Sequence, residues 1–389
     1  MLLESNGNGK NTGREITAQP DTWAKTWRKI RKEKENLTTF LSEVLANEHV
    51  QIVLTGAGSS AFIGDTGISS WNKACAQTAR AIPTTDLVTH FDEHINSAKS
   101  LLLISFARSG NSPESTATIH LANEHCDNVL HLIITCNPKG KLGQLKDHEN
   151  TYVFFIPPEA EDQSLAMTNS FTSMSLAAVL IPQIVTEPKK EEELNQQIKT
   201  LCDYGQQLIN DFSDTLYEVS QADFSKIVFL GSGNKWGIAR ESHLKVQELT
   251  NGKVIGKYDS FLGFRHGPKA IIDNQTLLVY LLSNKEDVHQ YERDLVTQIQ
   301  DHDIGLTTLA VSESPYDTVK ASYSITLNEE TKLKDHLWAI ACTIPAQIIG
   351  FYKSLAFGYN PDNPSPNGTI SRVVEGVTIY NKAPKTPNL

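Results

Sequence analysis

The chain repeats itself at a fixed interval, and this repeat limits its possible folds more than any other feature. Residues 52–64 match residues 227–239 class for class, and each segment is a short apolar run that ends in Gly-x-Gly. A second run, at 101–109, aligns with 277–285 at nearly the same interval. Because a helix-like stretch follows each glycine turn, the pattern is typical of a buried parallel strand that leads into a helix. Two copies of one α/β unit are therefore predicted.

A third pair of apolar runs gives each copy three core strands in the same order, since 130–135 corresponds to 305–311. Strands that alternate with helical patterns form βαβ units, so each unit is predicted to be a doubly wound, mostly parallel sheet flanked by helices. A chain of 389 residues suits two domains of roughly 100 to 200 residues. The predicted parts are a mobile tail over 1–20, an N-terminal helix with the first domain over 21–200, and a second domain over 201–389.

Charge and composition narrow the class of partner and the compartment. With 45 acidic and 35 basic residues the net charge is −10, which argues against nucleic acid or an anionic membrane as a partner. The five cysteines show no C-x-x-C spacing, so neither a disulfide framework nor a zinc site is predicted. The start of the chain lacks a signal-peptide pattern, and polar residues interrupt the apolar stretch 337–359. We expect a cytoplasmic protein without a membrane span.

Hydroxyl and basic side chains gather after the second strand of the first copy. Ser109 and Ser112 can donate hydrogen bonds, Gly110 allows close backbone approach, and Arg108 supplies charge. A helix predicted to open directly afterwards adds its positive dipole end. These features predict a phosphate site, with the alternative that Ser112 only caps that helix.

A second group of hydroxyls follows the neighbouring strand, where open α/β sheets collect ligands. Ser59 and Ser60 lie there, and they favour a phosphate site over a simple helix cap. A dinucleotide site is the weaker alternative, because residues 56–61 lack the third glycine of G-x-G-x-x-G. In the second copy the equivalent segment, 283–288, carries carboxylates that would repel a phosphate. The anion site is therefore predicted in the first copy alone.

The second copy carries candidate acid/base residues instead. Lys245 and Glu248 share a face of a predicted helix, and they form either a proton-transfer site or an ordinary solvated pair. His266 lies in a Gly-Pro loop, where a histidine is either polar surface or a catalytic group.

Taken together, these motifs resemble the SIS (sugar isomerase) domain family. The likeness is to its tandem-domain members, such as the isomerase half of glucosamine-6-phosphate synthase and the galactosamine-6-phosphate deaminase/isomerase group. It covers nearly the whole chain after the tail. In that family a Gly-x-x-Ser turn and a serine-rich loop hold the sugar phosphate, and Ser60, Ser109 and Ser112 fall on those positions. Ala107 and Arg108 replace a Ser and a Gln of the loop.

The resemblance also implies roles for the second copy. Lys245 and Glu248 match a Leu-Lys-x-x-Glu helix, and His266 matches a His-Gly-Pro histidine that reaches the partner subunit's site in the synthase. A homodimer with shared active sites is thereby implied. Arg372 aligns with a C-terminal lysine that forms a Schiff base with the ketose. Because an arginine cannot form that imine, Arg372 is expected to bind substrate without covalent capture.

As to activity, the resemblance implies conversion of D-galactosamine 6-phosphate to D-tagatose 6-phosphate and ammonia, with no metal or organic cofactor. His266 would assist ring opening, Glu248 would move a proton between C2 and C1, and Lys245 would position the sugar. We expect no glutaminase domain to supply ammonia, which favours the release of ammonia over its use. Because water completes the reaction, we expect the enzyme to be both an isomerase and a hydrolase.

Two alternatives remain open at the level of sequence. A plain aldose/ketose isomerase for a neutral sugar phosphate needs the same acid/base pair. A sugar-phosphate-binding regulator has no need of such a pair and commonly carries a basic DNA-binding helix, which is not evident here.

Overall fold

Two five-stranded parallel sheets form the centre of the structure, a computed structural model that describes residues 7–300, 305–316, 319–374 and 376–380. The first sheet contains β1 (Gln51–Thr55), β2 (Arg80–Ala81), β3 (Leu101–Ala107), β4 (Val129–Thr135) and β5 (Thr151–Phe155). The second contains β6 (Lys226–Leu230), β7 (Ile255–Asp259), β8 (Thr276–Leu281), β9 (Thr307–Ser312) and β10 (Tyr323–Thr326).

Helices flank the sheets and connect their strands. In the N-terminal half they are α1 (Lys10–Thr17), α2 (Gln19–Lys32), α3 (Lys34–Ala46), α4 (Ser59–Ala74), α5 (Thr84–His94), α6 (Pro113–His125), α7 (Asn169–Thr186) and α8 (Glu191–Asn210). The C-terminal half adds α9 (Ser213–Gln221), α10 (Lys235–Leu249), α11 (Phe261–Phe264), α12 (Glu286–Gln300), α13 (Asp335–Ala341) and α14 (Ile344–Ala356).

Both sheets have the same strand order, β2-β1-β3-β4-β5 and β7-β6-β8-β9-β10, and every strand pair is parallel. The order reverses between β1 and β3 in the first sheet and between β6 and β8 in the second. In doubly wound sheets, ligands bind beside such a reversal, at the carboxyl ends of the strands. The prediction of two doubly wound α/β units is confirmed.

Burial explains why the apolar runs predicted the core strands. Every residue of β3 and of β8 is buried, because helices cover both faces of a parallel sheet. α7 is buried along nearly its whole length, and it packs against α4 and α2. The strands β2, β5, β7 and β10, which the apolar runs did not predict, are the short or partly exposed outer strands.

The N-terminal segment differs from its prediction. The prediction of a mobile tail over 1–20 is wrong for residues 10–20, because α1 and the start of α2 are ordered and partly buried, whereas residues 1–6 lie outside the described part of the chain. The backbone N–H of Thr12 donates to Asp362 Oδ1 at 2.8 Å. Because Asp362 is 350 residues away from Thr12 in sequence, no local sequence pattern predicts this contact. The single N-terminal helix that was predicted is the pair α2 and α3.

The domain boundary predicted at residue 200 falls inside α8. This helix packs against α2 of the first unit and against α13 of the second. The two units therefore share a helix between their sheets, and the position of the boundary stays a prediction.

One stretch, Asp335–Ala356, is long and apolar enough to span a membrane by length and composition. The rest of the chain buries 89% of its apolar window. It consists of α13 and α14, which pack against α8, α9 and α10. The stretch is a core element of the second unit, as its polar interruptions predicted.

Candidate active site

The candidate active site lies at the carboxyl end of the first sheet, where two loops flank the reversal of strand order. One loop, residues 56–60, follows β1 and enters α4; the other, residues 108–112, follows β3 and leads to α6. We call them the anion loops. Gly58 and Gly110 have φ angles of 56° and 65°, a left-handed conformation that glycine adopts without strain. Both loops can therefore turn sharply beside the same crevice.

The serines of the anion loops have different hydrogen-bond roles. Ser112 is the N-cap of α6: its Oγ accepts from the Ser115 N–H at 3.4 Å and donates to Ser115 Oγ at 2.6 Å. Ser112 therefore caps α6, which is the alternative role given for it above. Ser109 Oγ accepts from the Asn111 N–H at 3.2 Å and, among the described residues, donates to no acceptor. Its hydroxyl proton is free for a ligand.

Arg108 is a buried cation held by carbonyl oxygens. Its residue surface is 7% exposed. Nη1 donates to the carbonyls of Ser164 and Leu165 at 3.2 and 3.0 Å, and Nη2 donates to the carbonyl of Arg372 at 2.6 Å. Within the described ranges no carboxylate forms an ion pair with it. Since a buried charge without a counterion is costly, Arg108 suits an anionic ligand.

Arg372, predicted to bind substrate, lies beside Arg108 but directs its guanidinium elsewhere. Its Nε donates to the Asp162 carbonyl at 3.0 Å, and its Nη2 lies 3.5 Å from Glu161 Oε1. The Asp162 side chain, which sequence reasoning missed, caps α7 by accepting from three backbone N–H groups at 2.9 to 3.0 Å, those of Thr168, Asn169 and Ser170. The loop between β5 and α7 is thereby fixed behind the crevice.

The acid/base residues lie together on α10. Lys245 Nζ is 2.6 Å from Glu248 Oε2 and 3.3 Å from Glu241 Oε1. The exposed fractions of these side chains are 1% for Lys245, 0% for Glu241 and 23% for Glu248. An ordinary solvated pair is thus excluded, and Glu248 is the member that opens to solvent. Sequence reasoning missed Glu241, although the spacing Glu-x-x-x-Lys-x-x-Glu places all three residues on one helix face.

Burial sets the protonation of this group. It raises the pKa of Glu241 to about 7, with the charge of Glu248 adding to the rise and that of Lys245 opposing it. Burial alone would lower the pKa of Lys245, but the two carboxylates outweigh it and raise that pKa. Lys245 therefore stays cationic between two carboxyl groups, one of which takes up a proton near neutral pH.

Close packing of α4 against α10 joins the acid/base group to the anion loops. Asn234 Nδ2 donates to Ser69 Oγ at 2.7 Å, whereas a Cβ built on Gly237, further along α10, would lie 2.7 Å from the Phe62 carbonyl oxygen, earlier in α4. Because these contacts run antiparallel, the start of α4 lies beside the C-terminal half of α10. Consistently, the Ser59 hydroxyl counteracts the rise in the pKa of Glu241. Anion loops and acid/base residues border one crevice.

His266 is not part of that crevice within one chain. It is exposed, in the loop that follows β7 and α11. Glu248 lies at the other end of the second unit, because α10 runs back from the end of β6 to the start of β7. Along α10 this separation is about 20 Å, at 1.5 Å per residue.

In the second sheet, charged side chains of the chain itself lie beside the reversal of strand order. There the buried Lys235 forms an ion pair with Asp335, which also accepts from Ser283 Oγ at 2.9 Å. The Ser283 N–H donates to Glu292 Oε2 at 2.8 Å. That only the first copy binds an anion stays a prediction.

Comparison with known proteins places the chain in a family. SIS domain sequences match residues 44–181. D-galactosamine-6-phosphate deaminase AgaS of Escherichia coli O157:H7 is 39% identical over 379 residues, 96% of either chain. AgaS of Shewanella sp. (strain ANA-3) is 35% identical over 376 residues, 95% of this chain and 91% of that protein. The crystal structure of tagatose-6-phosphate ketose/aldose isomerase from Escherichia coli matches with a TM-score of 0.86 and 36% identity, covering 96% of this chain and 97% of that one.

Fold, crevice and relatives together define an enzyme of the sugar-phosphate isomerase class. The chain belongs to the SIS domain family, in the group of tandem-domain enzymes that contains AgaS. The expectation of a hydrolase is wrong, because these relatives are named deaminases and isomerases. A regulator without catalysis has no support among these relatives.

Proposed function

We propose that the enzyme converts D-galactosamine 6-phosphate to D-tagatose 6-phosphate and ammonia. The observation that carries this proposal is the burial of Lys245 between Glu241 and Glu248 beside the anion loops. A carboxylate with a fixed cation next to it is suited to moving a proton on a carbon adjacent to a carbonyl. The relatives named galactosamine-6-phosphate deaminase support the substrate.

In this proposal the anion loops hold the phosphate. Ser59, Ser60 and Ser109 donate hydroxyl protons, Gly110 lets the backbone approach, and Arg108 supplies the charge that its carbonyl partners leave uncompensated. Binding energy from the phosphate then orients C1 and C2 toward α10. Ser112 contributes mainly by fixing the start of α6.

Glu248 then moves the proton. It takes the proton from C2 of the open-chain aldose and returns it to C1, while a second proton passes from the amino nitrogen to O1, so that C1 becomes a CH₂OH group and C2 an imine. Water adds to the imine carbon and ammonia leaves, which gives the C2 ketone. Lys245 stabilises the oxygen charge that develops on the enolamine. Arg372 orients the sugar from the side of Arg108.

We further propose a homodimer in which His266 serves the crevice of the partner copy. Its exposure, and its position at the far end of the second unit from Glu248, support this arrangement. There it would assist ring opening. The reaction needs no metal or organic cofactor, since side chains supply every proton transfer. Five unpaired cysteines fit the reducing cytoplasm as its location.

The test is ammonia release from galactosamine 6-phosphate, followed with glutamate dehydrogenase, together with a separate measurement of tagatose 6-phosphate. The proposal requires ammonia and ketose in equal amounts. Glucosamine 6-phosphate, the C4 epimer, is run alongside to measure substrate preference. Absence of ammonia from both amino sugars contradicts the proposed reaction.

A second candidate is aldose/ketose isomerisation of a neutral sugar phosphate. It is favoured by the related structure named tagatose-6-phosphate ketose/aldose isomerase. Conversion of tagatose 6-phosphate to a neutral aldose phosphate, with no ammonia from either amino sugar, establishes this candidate instead.

A further inference from the structure

The N-terminal helix α1 contacts the loop between β5 and α7, whose carbonyl oxygens accept from Arg108. Helix α1 itself is far from Arg108 in sequence. We propose that Glu15 on α1 is a positioning residue for the phosphate site, acting through this loop on Arg108. The inference rests on the proposed function, because it assigns to Arg108 the binding of a phosphate.

Glu15 is tied to the loop by three contacts. Its Oε1 accepts from the backbone N–H groups of Gln163 and Ser164, at 2.6 and 3.2 Å. Its Oε2 is hydrogen-bonded to the Ser164 hydroxyl. Only 5% of the Glu15 surface is exposed. One carboxyl group thus accepts from two backbone N–H groups, and the one on the buried Ser164 would otherwise lack an acceptor away from water.

The carbonyl groups of the same loop hold the two arginines. Ser164 and Leu165 accept from Arg108, and Asp162 accepts from Arg372. Each of these carbonyls lies within two residues of an N–H that Glu15 binds. A shift of this segment would therefore displace the acceptors on which the Arg108 guanidinium depends.

The helix that carries Glu15 is itself fixed. Asp362 accepts from the backbone N–H groups of Asn11 and Thr12 at 3.1 and 2.8 Å, and its carbonyl accepts from the Leu165 N–H at 3.0 Å. One residue of the C-terminal segment thus contacts both α1 and the loop. Glu15 has a rigid base from which to position the loop.

The test measures binding of inorganic phosphate by calorimetry to the purified full-length enzyme. We expect Glu15→Ala to weaken phosphate binding about tenfold, since the loop loses the acceptor of two backbone N–H groups, one of them on the buried Ser164. Glu15→Gln keeps an oxygen at the same position and should restore affinity to within about twofold. Arg14→Ala, an exposed change on the same helix, is the matched control.

A double-mutant cycle separates positioning from general loss of stability. In an Arg108→Gln background Glu15→Ala should have almost no further effect on phosphate affinity, because both changes remove the same contact. An equal loss in both backgrounds, or wild-type affinity in Glu15→Ala, overturns the positioning role. If the variants bind phosphate as expected but wild type releases no ammonia, only the proposed reaction is refuted. Failure of wild type to bind phosphate contradicts both.

Discussion

Lys245 Nζ lies 2.6 Å from Glu248 Oε2, and the ammonium is buried while the carboxylate is partly open to solvent. This pair differs from the surface ion pairs that are common on helices. Glu241 holds the other side of the ammonium at 3.3 Å. The lysine therefore cannot swing away, and Glu248 faces the crevice with a fixed cation behind it.

Replacing Glu248 by Gln should remove proton transfer and leave phosphate binding intact. We expect kcat for ammonia release to fall roughly a thousandfold, a typical contribution of a general base, with little change in the affinity for inorganic phosphate. Glu35→Gln, an exposed carboxylate on α3, serves as the control. Equal kcat values for Glu248→Gln and wild type would rule out Glu248 as the base.

Mixing two inactive variants tests whether active sites are shared between copies. Alone, His266→Ala and Glu248→Gln should each have little activity. If His266 serves the partner's crevice, a mixed dimer of the two variants contains one intact site. Unfolding and refolding the two together should then restore up to about a quarter of wild-type activity, since half of the dimers are mixed. No recovery, in a sample shown to contain mixed dimers, contradicts the shared site.

The two serines of the second anion loop should respond differently to alanine. Ser112→Ala removes the cap of α6 and should lower the free energy of unfolding by about 1 kcal/mol. Ser109→Ala removes a free hydroxyl and should instead raise KM with little change in stability. Urea unfolding and steady-state kinetics on both variants check this. A reversed pattern would assign the phosphate contact to Ser112.

The apolar repeats predicted the sheets because each core strand is buried on both faces, as in β3 and β8. They gave no indication of β2, which has two residues, or of the outer strand β7, in which two of five residues are exposed. The anchoring of α1 was equally hidden, since Asp362 lies about 350 positions from Thr12. Pairings at such distances are set by tertiary packing, which local pattern does not encode.

In the site, too, local sequence pattern predicted some features, whereas contacts between distant residues could not be predicted. Lys245 and Glu248 could be predicted because they share a helix face, and the anion loops because they follow adjacent strands. The carbonyl partners of Arg108 could not, because Ser164 and Leu165 are 56 and 57 residues away in sequence and Arg372 is 264 residues away. The position of His266 away from Glu248 also follows from the direction of α10, which only the fold defines.

The pH dependence of stability should reveal the buried Glu15. Burial, with the nearby charge of Asp162, raises its pKa to about 7 from an ordinary 4.5. The folded state then holds a proton that the unfolded state releases, so this stabilisation is complete below pH 4.5 and is lost as the pH rises through about 7. The free energy of unfolding of wild type, relative to Glu15→Gln, should fall by about 3 kcal/mol across this window.

The comparison with Glu15→Gln is needed because other groups have the opposite effect. Burial lowers the pKa of His131, His243 and His336 to about 4, so they favour folding increasingly as the pH rises toward 6.5. Urea unfolding of both proteins between pH 4.5 and 8 cancels these shared terms. A constant difference between the two curves would show that Glu15 does not titrate in this range.

Gly237 controls how closely the acid/base helix approaches the anion loops. A Cβ at this position would lie 2.3 Å from Thr66 Oγ1, 2.6 Å from the Thr66 backbone N and 2.7 Å from the Phe62 carbonyl oxygen. Two of these atoms belong to the backbone of α4 and cannot rotate away, so Gly237→Ala must push α10 from α4. We expect a loss of roughly 2 kcal/mol in the free energy of unfolding. Gly64→Ala is the matched control, since its Cβ would meet two side-chain methyl or methylene carbons at 3.3 Å.

The same substitution should also affect catalysis, because the shift of α10 moves Glu248 relative to Ser59 and Ser60. Folded Gly237→Ala should therefore lose kcat/KM while it binds inorganic phosphate normally. Full activity would show that catalysis does not depend on this helix contact.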